Sequence, residues 1–324
     1  MKKTIATLAT TLIALPGIVF GDPTIRLAAL EFGTVNWELQ TIINYALDKK
    51  YAFKFNIRPI ANPQAGKIAL QSEAVDMIVS DWVWVSRQRS TSSDFTFIPY
   101  SSTSGALMLP AASQIRTLTD LAGKRVGIAG GELDKNWLLL RGLAQYKMQL
   151  DLDNKIDKVY GAPPLLNQQI LQGNLDAIIT YWHYAAHLEA LGYRTFMTGQ
   201  EFIKQLGIDQ ILPTLGYVFR QTWATANPDT LKAFMNASIE AKNLLCDSDP
   251  AWSQIKTLLR TENTATQGIL RTRFCAGRIQ KWGEAEKRAA AAVYSILRQM
   301  TGDKLTGKSI DLQAGTFWPY SLGY

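Results

Sequence analysis

The stretch Ser80–Arg89, SDWVWVSRQR, places an acid, two tryptophans at a spacing of two and two arginines within ten positions. A buried strand takes Val and Ile there, and an exposed loop has little use for two indoles. The combination suits the wall of a pocket for something flat and charged. Similar groups recur elsewhere: Glu31 and Trp37 in EFGTVNW, Gly130, Gly131, Asp134, Lys135 and Trp137 in GGELDKNW, and Tyr181, Trp182 and His183 in YWH. Five of the nine tryptophans lie in these four stretches, which points to an aromatic cleft rather than to lobe core alone.

Each group has a chemistry and a plainer alternative. In GGELDKNW the glycines let a backbone approach closely, and a helix start offers free N–H groups to an anion. Asp134 would otherwise simply cap that helix, as Asp does well. The spacing reads GxxGG, so it is not the GxGxxG of a dinucleotide site. Lys135 is either a solvated lysine or a cation at the cleft mouth, able to meet a carboxylate or, once deprotonated, a carbonyl carbon. His183 and His187 are the only histidines and stand one helical turn apart. Tyr184 occupies the position of the Glu in HExxH and no third ligand is near, so His183 reads as a hydrogen-bonding group and no metal is expected. No histidine remains to serve Ser102 or Ser104 as a general base, so an enzyme is not expected. Ser102, Thr103 and Ser104 read as hydrogen-bond donors to a ligand. Arg87 and Arg89 lie five and seven residues past Ser80 and are expected to stay clear of it.

These groups need elements to hold them. TIRLAAL, AFKFNIRPI and AVDMIVS read as strands, and WELQTIINYALDKK and QAGKIALQSE as helices. The β–α–β rhythm predicts an α/β fold with mainly parallel sheets and helices on both faces. A second cycle begins after FTFIPYSSTSGALMLP and repeats the phrase, with VDMIVSDW in the first half answered by LDAIITYW in the second. Beyond LGYVFRQTWA the chain is mostly helical. The expected organisation is lobe one from residues 22–101 plus 220–324, lobe two from 102–219, and two crossovers flanking a cleft. In open parallel sheets ligands bind beyond the carboxyl ends of the strands, and all four aromatic stretches follow strands.

Composition limits the class. The net charge is +7, but Lys and Arg are scattered; no basic stripe for nucleic acid results, only a mild preference for anions. Residues 1–21 read as a cleaved secretory signal: a basic MKK, a short apolar core and a small-residue site ending at Gly21. No later run offers the ~20 apolar residues of a membrane span, so a periplasmic location is expected. Roughly 300 further residues suggest two domains. Cys246 and Cys275 can pair in an oxidising compartment, a bridge worth roughly 3–4 kcal/mol in the chain-entropy picture; two free buried thiols are the alternative.

LTDLAGKRVG, GNLDAIITYW and LGYVF followed by NPDTLKAFMNASIEA resemble the periplasmic substrate-binding proteins of ABC importers. The branch is that of the nitrate, taurine, sulfonate and thiamine-pyrimidine binders. The resemblance implies a type II two-lobe fold, a monomer that closes on a small molecule, and delivery to a membrane permease, with no cofactor of its own. SDWVWVSRQR, GGELDKNW and YGAPPLLNQQ also resemble the subset associated with pyrroloquinoline quinone uptake. A planar polycarboxylate of that kind would stack between Trp82 or Trp84 and Trp182, at about 1–3 kcal/mol per stacked ring. Glu31, Asp81 and Asp134 leave other readings open, in which acids and indoles box a pyrimidine or quaternary amine, or the ligand is a sulfonate. A periplasmic sensory module also remains open.

Overall fold

The computed structural model describes residues 23–319. The signal-peptide expectation, residues 1–21, lies outside them. The short apolar runs become buried strands, and the amphipathic runs between them become helices that cover the sheets. The first half holds β1 (Thr24–Leu30), α1 (Val35–Asn44), α2 (Leu47–Lys50), β2 (Lys54–Ile60) and α3 (Pro63–Gln71). It continues through β3 (Met77–Ser80), α4 (Trp82–Arg89) and β4 (Phe95–Ser101).

The second half runs β5 (Ala106–Leu109), β6 (Arg125–Ala129), α5 (Lys135–Met148), α6 (Leu152–Lys155) and β7 (Asp157–Gly161). It ends with α7 (Pro163–Leu171), β8 (Ala177–Thr180), α8 (Trp182–Ala190), β9 (Arg194–Thr198) and α9 (Gly199–Gln205). The chain then returns through β10 (Leu215–Arg220) into α10 (Gln221–Ala226), α11 (Pro228–Asp247), α12 (Asp249–Gln254) and α13 (Lys256–Leu259). Helices α14 (Thr264–Ala276), α15 (Glu284–Thr301) and α16 (Asp303–Thr306) follow.

Two five-stranded sheets result, ordered β2-β1-β3-β10-β4 and β7-β6-β8-β5-β9. Thr24 faces Lys54 and Leu27 faces Met77 in the parallel register of the first sheet. Arg125 faces Asp157 and Val126 faces Ala177 in that of the second. Both sheets are mixed. β10 pairs antiparallel with β3 and β4, and β5 with β8 and β9. The reversed strand is in each case the first one after a crossover, because a chain entering from the other lobe arrives at the opposite end of the sheet.

The C-terminal helices reach both lobes. α11 packs on α1, α14 lies against α8, and α15 against α5. One core, with Trp37, Leu245, Trp252, Leu270 and Phe274, also takes in Ala186 of α8. Cys246 of α11 and Cys275 of α14 form a disulfide, S–S 2.05 Å with Cα atoms 5.6 Å apart. A second tie lies inside lobe one. The fully buried Glu38 of α1 stands 3.2 Å from Lys242 Nζ on α11, and Tyr217 Oη donates to its other oxygen at 2.5 Å. Lys242 also lies 4.2 Å above the Tyr100 ring. Among the described residues no helix is long and apolar enough to cross a membrane.

Candidate functional site

Helices α1, α4, α5 and α8 each begin a few residues beyond a strand end, so their N-termini gather at the carboxyl edges of the two sheets. Two of these starts are filled by the chain itself. Asp81 accepts from Trp84 N at 2.9 Å and Asp134 from Trp137 N at 3.0 Å. The anion seat expected at GGELDKNW is therefore taken by its own carboxylate, and the capping alternative describes what is there. Gly130 and Gly131 have φ of 91° and 85°, and a Cβ on Gly130 would come within 3.0 Å of Tyr181 Oη. The turn needs glycine for its shape.

Lys135 Nζ lies 3.3 Å from Asp81 Oδ2 and joins the start of α5 to the start of α4, across the two lobes. Burial alone would raise the Asp81 carboxyl, but Lys135 and Lys67 together hold it below its ordinary range. Burial likewise works against a charged Lys135, and Asp81 and Asp134 outweigh it. The lysine is thus held as an ammonium, which is the wrong form to add to a carbonyl carbon. Glu31 is exposed at the end of β1.

The tryptophans need the largest correction. Trp37 is buried, donates from Nε1 to Leu258 O at 3.2 Å, and meets Trp182 and Trp252 edge to face. Trp82 is buried and donates to Pro213 O at 3.0 Å. Trp84 stacks on Phe95 with centroids 5.4 Å apart. Trp137 is fully enclosed in core. Of the five expected to line the cleft, Trp182 alone lines the cavity described next, so no indole sandwich forms in this arrangement. The residues after a strand end here are first-turn helix residues, and a first turn buries the side chains that face its sheet. Arg87 and Arg89 turn to the C-terminal segment, donating to Lys304 O and Ala314 O at 3.3 and 2.7 Å.

A cavity of about 180 Å³ lies where the first crossover meets α8, α9 and α14. Its polar lining includes Ser102, Thr103, Ser104, Gln200 and Arg273, and Trp182 supplies an aromatic wall. The first crossover is extended and short, which is why three consecutive hydroxyl residues can edge one space. Ser104 Oγ accepts from Gln200 N at 3.1 Å, leaving its own proton free to donate. Ser102 Oγ donates to Gly277 O at 3.2 Å, and the Ser101 and Thr103 hydroxyls lie 2.9 Å apart. Arg273 Nη2 donates to Glu189 Oε2 at 2.8 Å. Tyr181 provides no side-chain cap to α8, so the first N–H groups of that helix keep their partial positive charge. Gln200, Arg273 and Gly277 were not expected from sequence; no local pattern marks them, because they arrive from elements remote from the crossover.

The sequence pattern of the family described as NMT1/THI5 like matches residues 56–248, more than half of the chain. The chain belongs to that family. No curated protein matches it in sequence. Among solved structures, an alkanesulfonate-binding protein SsuA from Xanthomonas axonopodis pv. citri, bound to MOPS, is similar at TM-score 0.66 and 16% identity, over 93% of this chain and 99% of that one. The aliphatic sulphonate binding protein SsuA from Escherichia coli matches at TM-score 0.66 and 16% identity, over 88% and 99%. The desulfurization enzyme DSZB shares the fold at TM-score 0.54 and 13% identity, over 86% and 91%. At such identities the likeness is one of fold, the two-lobe α/β architecture of periplasmic binding proteins, and the fold hosts both binders and an enzyme.

In this NMT1/THI5-like protein His183 sits in the first turn of α8, with its ring 4.4 Å from that of Tyr184 and 5.6 Å from that of Trp182. Its Nδ1 is buried without a hydrogen-bond partner. Burial, helped by nearby His187, pushes its pKa down to about 4. Among the described residues no three His, Cys, Asp or Glu groups converge as a metal site would need. Because the folded pKa lies below the ordinary 6.5, the unfolded chain binds the proton first. Stability is then full above about pH 6.5 and falls as pH drops toward 4, by on the order of 3 kcal/mol. Urea titrations at pH 7.5 and 4.5 are expected to show this loss, and His183→Phe to remove most of it. An equal pH slope in the variant would rule the assignment out.

Proposed function

We propose that this protein is the periplasmic solute-binding component of an ABC importer and that its solute is a small organic oxyanion, a sulfonate first among them. Residues 22–101 with 220–324 and residues 102–219 form the two bodies that close on it before delivery to the membrane permease. The observation that carries the reading is the cavity itself. It combines the Ser104 hydroxyl, whose proton is free, the Arg273 guanidinium beside its partner Glu189, and the Trp182 wall at the uncapped start of α8. Planar forked donors and a helix N-terminus are what a tetrahedral oxyanion requires, and the aromatic wall suits an alkyl or aryl stem.

Size favours the smaller ligand. Pockets for drug-sized molecules run to roughly 300–1,000 Å³, and a cavity near 180 Å³ with one indole wall suits a small sulfonate better than a fused tricyclic quinone. The crossover hydroxyls engage a carbonyl, an amide and each other, an arrangement suited to holding rather than attacking. The sulfonate binders among the similar structures support the same class.

Calorimetry with an alkanesulfonate is expected to give one site per chain and quenching of tryptophan fluorescence. Arg273→Gln should weaken binding at least tenfold, about 1.4 kcal/mol, the lower end for a hydrogen bond to a charged group. Heat with pyrroloquinoline quinone and none with any alkanesulfonate would overturn the solute class while leaving the transport role. A chain that binds neither, and docks to a membrane receptor instead, would favour the sensory reading.

A further inference from the structure

One wall of the cavity belongs to neither sheet. Arg273 and Ala276 of α14, and Gly277 just past it, close the space that the crossover and second-lobe elements leave open. α14 is held from two directions. Toward the second lobe, Arg273 pairs with Glu189 on α8, and Gly277 O accepts from Ser102 N at 2.9 Å. Toward the first lobe, it is joined covalently, through Cys275, to Cys246 on α11. Fit at its end is close: a Cβ on Gly277 would collide with Thr103 Cγ2 and lie 3.0 Å from Ser101 Oγ.

We propose that the Cys246–Cys275 bridge is a positioning element of the solute site, fixing α14 as the cavity wall and thereby setting how slowly the solute leaves. This rests on the reading of the cavity as the solute site. The bridge spans a sequence separation of 29; without it, α14 is tied to α11 by that intervening chain, by packing, and by non-covalent contacts such as Arg271 donating to Leu245 O and Cys246 O at 3.1 and 3.0 Å, all of which can break and re-form. A wall free to move away must be re-ordered each time a solute is enclosed, and that ordering works against affinity. The bridge removes the freedom beforehand. Arg273 lies two positions before Cys275 and Ala276 one after it, so both lining residues stand within a turn of the anchor. Both cysteines are half-buried, placed at the α11–α14 seam against the core that holds Leu245, Leu270 and Phe274.

The test needs one readout with solute and one without. In Cys246→Ser/Cys275→Ser protein, stopped-flow tryptophan fluorescence is expected to show an alkanesulfonate released at least tenfold faster, with the association rate within twofold, well below the melting temperature. A purely structural bridge would lower that temperature and leave the release rate alone. Gly277→Ala, which keeps the bridge but pushes the end of α14 off the crossover, should speed release in the same direction. For the solute-free readout, Ser104→Cys is introduced with and without the bridge, the bridge being verified by mass, and its reaction with iodoacetamide is timed. Labelling should run at least fivefold faster without the bridge. Labelling or release that stays within twofold overturns the proposal. If the unmodified protein takes up no alkanesulfonate yet labelling accelerates, the wall stands and the solute class falls.

Discussion

Glu38→Ala is expected to lower the unfolding free energy by about 3–5 kcal/mol, the penalty for stranding one partner of a buried ion pair. Glu38 is fully buried, and its loss would leave Lys242 facing the Tyr100 and Tyr217 rings, with Ser238 Oγ at 3.3 Å as its remaining polar contact. The ring faces offset part of the charge, and Tyr217 loses the acceptor for its hydroxyl. Against a typical total of about 5–15 kcal/mol, the variant would keep a marginal lobe one. Its pH dependence follows. Burial already pushes the Lys242 pKa down while Glu38 opposes it, and removing Glu38 lets it fall further. The unfolded chain then binds the proton that the folded one sheds, so the deficit should shrink as pH rises toward the ordinary lysine range. Replacing both partners, Glu38→Leu with Lys242→Met, should recover most of the loss. Urea denaturation at pH 7 and 9.5 checks all three points; a Glu38→Ala loss below 1 kcal/mol would show that the pair contributes little.

Trp137→Ala should cost a comparable amount, about 3–5 kcal/mol for an aromatic emptied from a packed core, with alkanesulfonate affinity unchanged in the folded fraction. Trp137 is 0% exposed and packs in the core that also holds Leu138, Val293 and Tyr294. Its Nε1 is buried without a partner, so Trp137→Phe forfeits volume but no hydrogen bond and should cost clearly less. Trp182 behaves in the opposite way. It lines the cavity, so Trp182→Phe should leave the melting temperature within a few degrees and remove most of the solute-dependent quenching. Differential scanning calorimetry and fluorescence titration of the three variants separate the roles. Loss of quenching in Trp137→Phe would place that indole at the site after all.

The contrast between these two tryptophans marks how far a sequence reading reaches. The repeated phrase VDMIVSDW and LDAIITYW announces strand then helix because local hydrophobic period and helix starts are properties of neighbouring residues. It locates the carboxyl ends of β3 and β8, and hence the helix starts that gather there. Which way a first-turn side chain rotates is set by the sheet beneath and the helices above. Trp82, Trp84 and Trp137 turned inward for that reason, while Trp182, against the edge of Trp37, kept a face on the cavity. The crossover hydroxyls could be placed from sequence because a short polar link is a local feature, and they edge the cavity. Arg273 and Gly277 were not, since their approach to Ser102 depends on the path of three helices and a disulfide. The Cys246–Cys275 pair was expected from compartment and count, and the two sulfurs are bonded.

The position of β10 has a consequence for the order in which the molecule can be assembled. It lies between β3 and β4, in the interior of the first sheet, yet it follows all of β5 to β9 in the chain. Until residues 215–220 arrive, β4 has no neighbour, and the three parallel strands β2, β1 and β3 end in an unpaired edge. The second sheet has no such gap, since β5 to β9 form one uninterrupted segment. The half of the protein that begins first is therefore finished last, its closing strand bringing together partners separated by more than a hundred residues. Such long-range closure is slow and leaves an open edge exposed meanwhile. A nascent chain would carry a completed second sheet beside a first one still waiting for an interior strand.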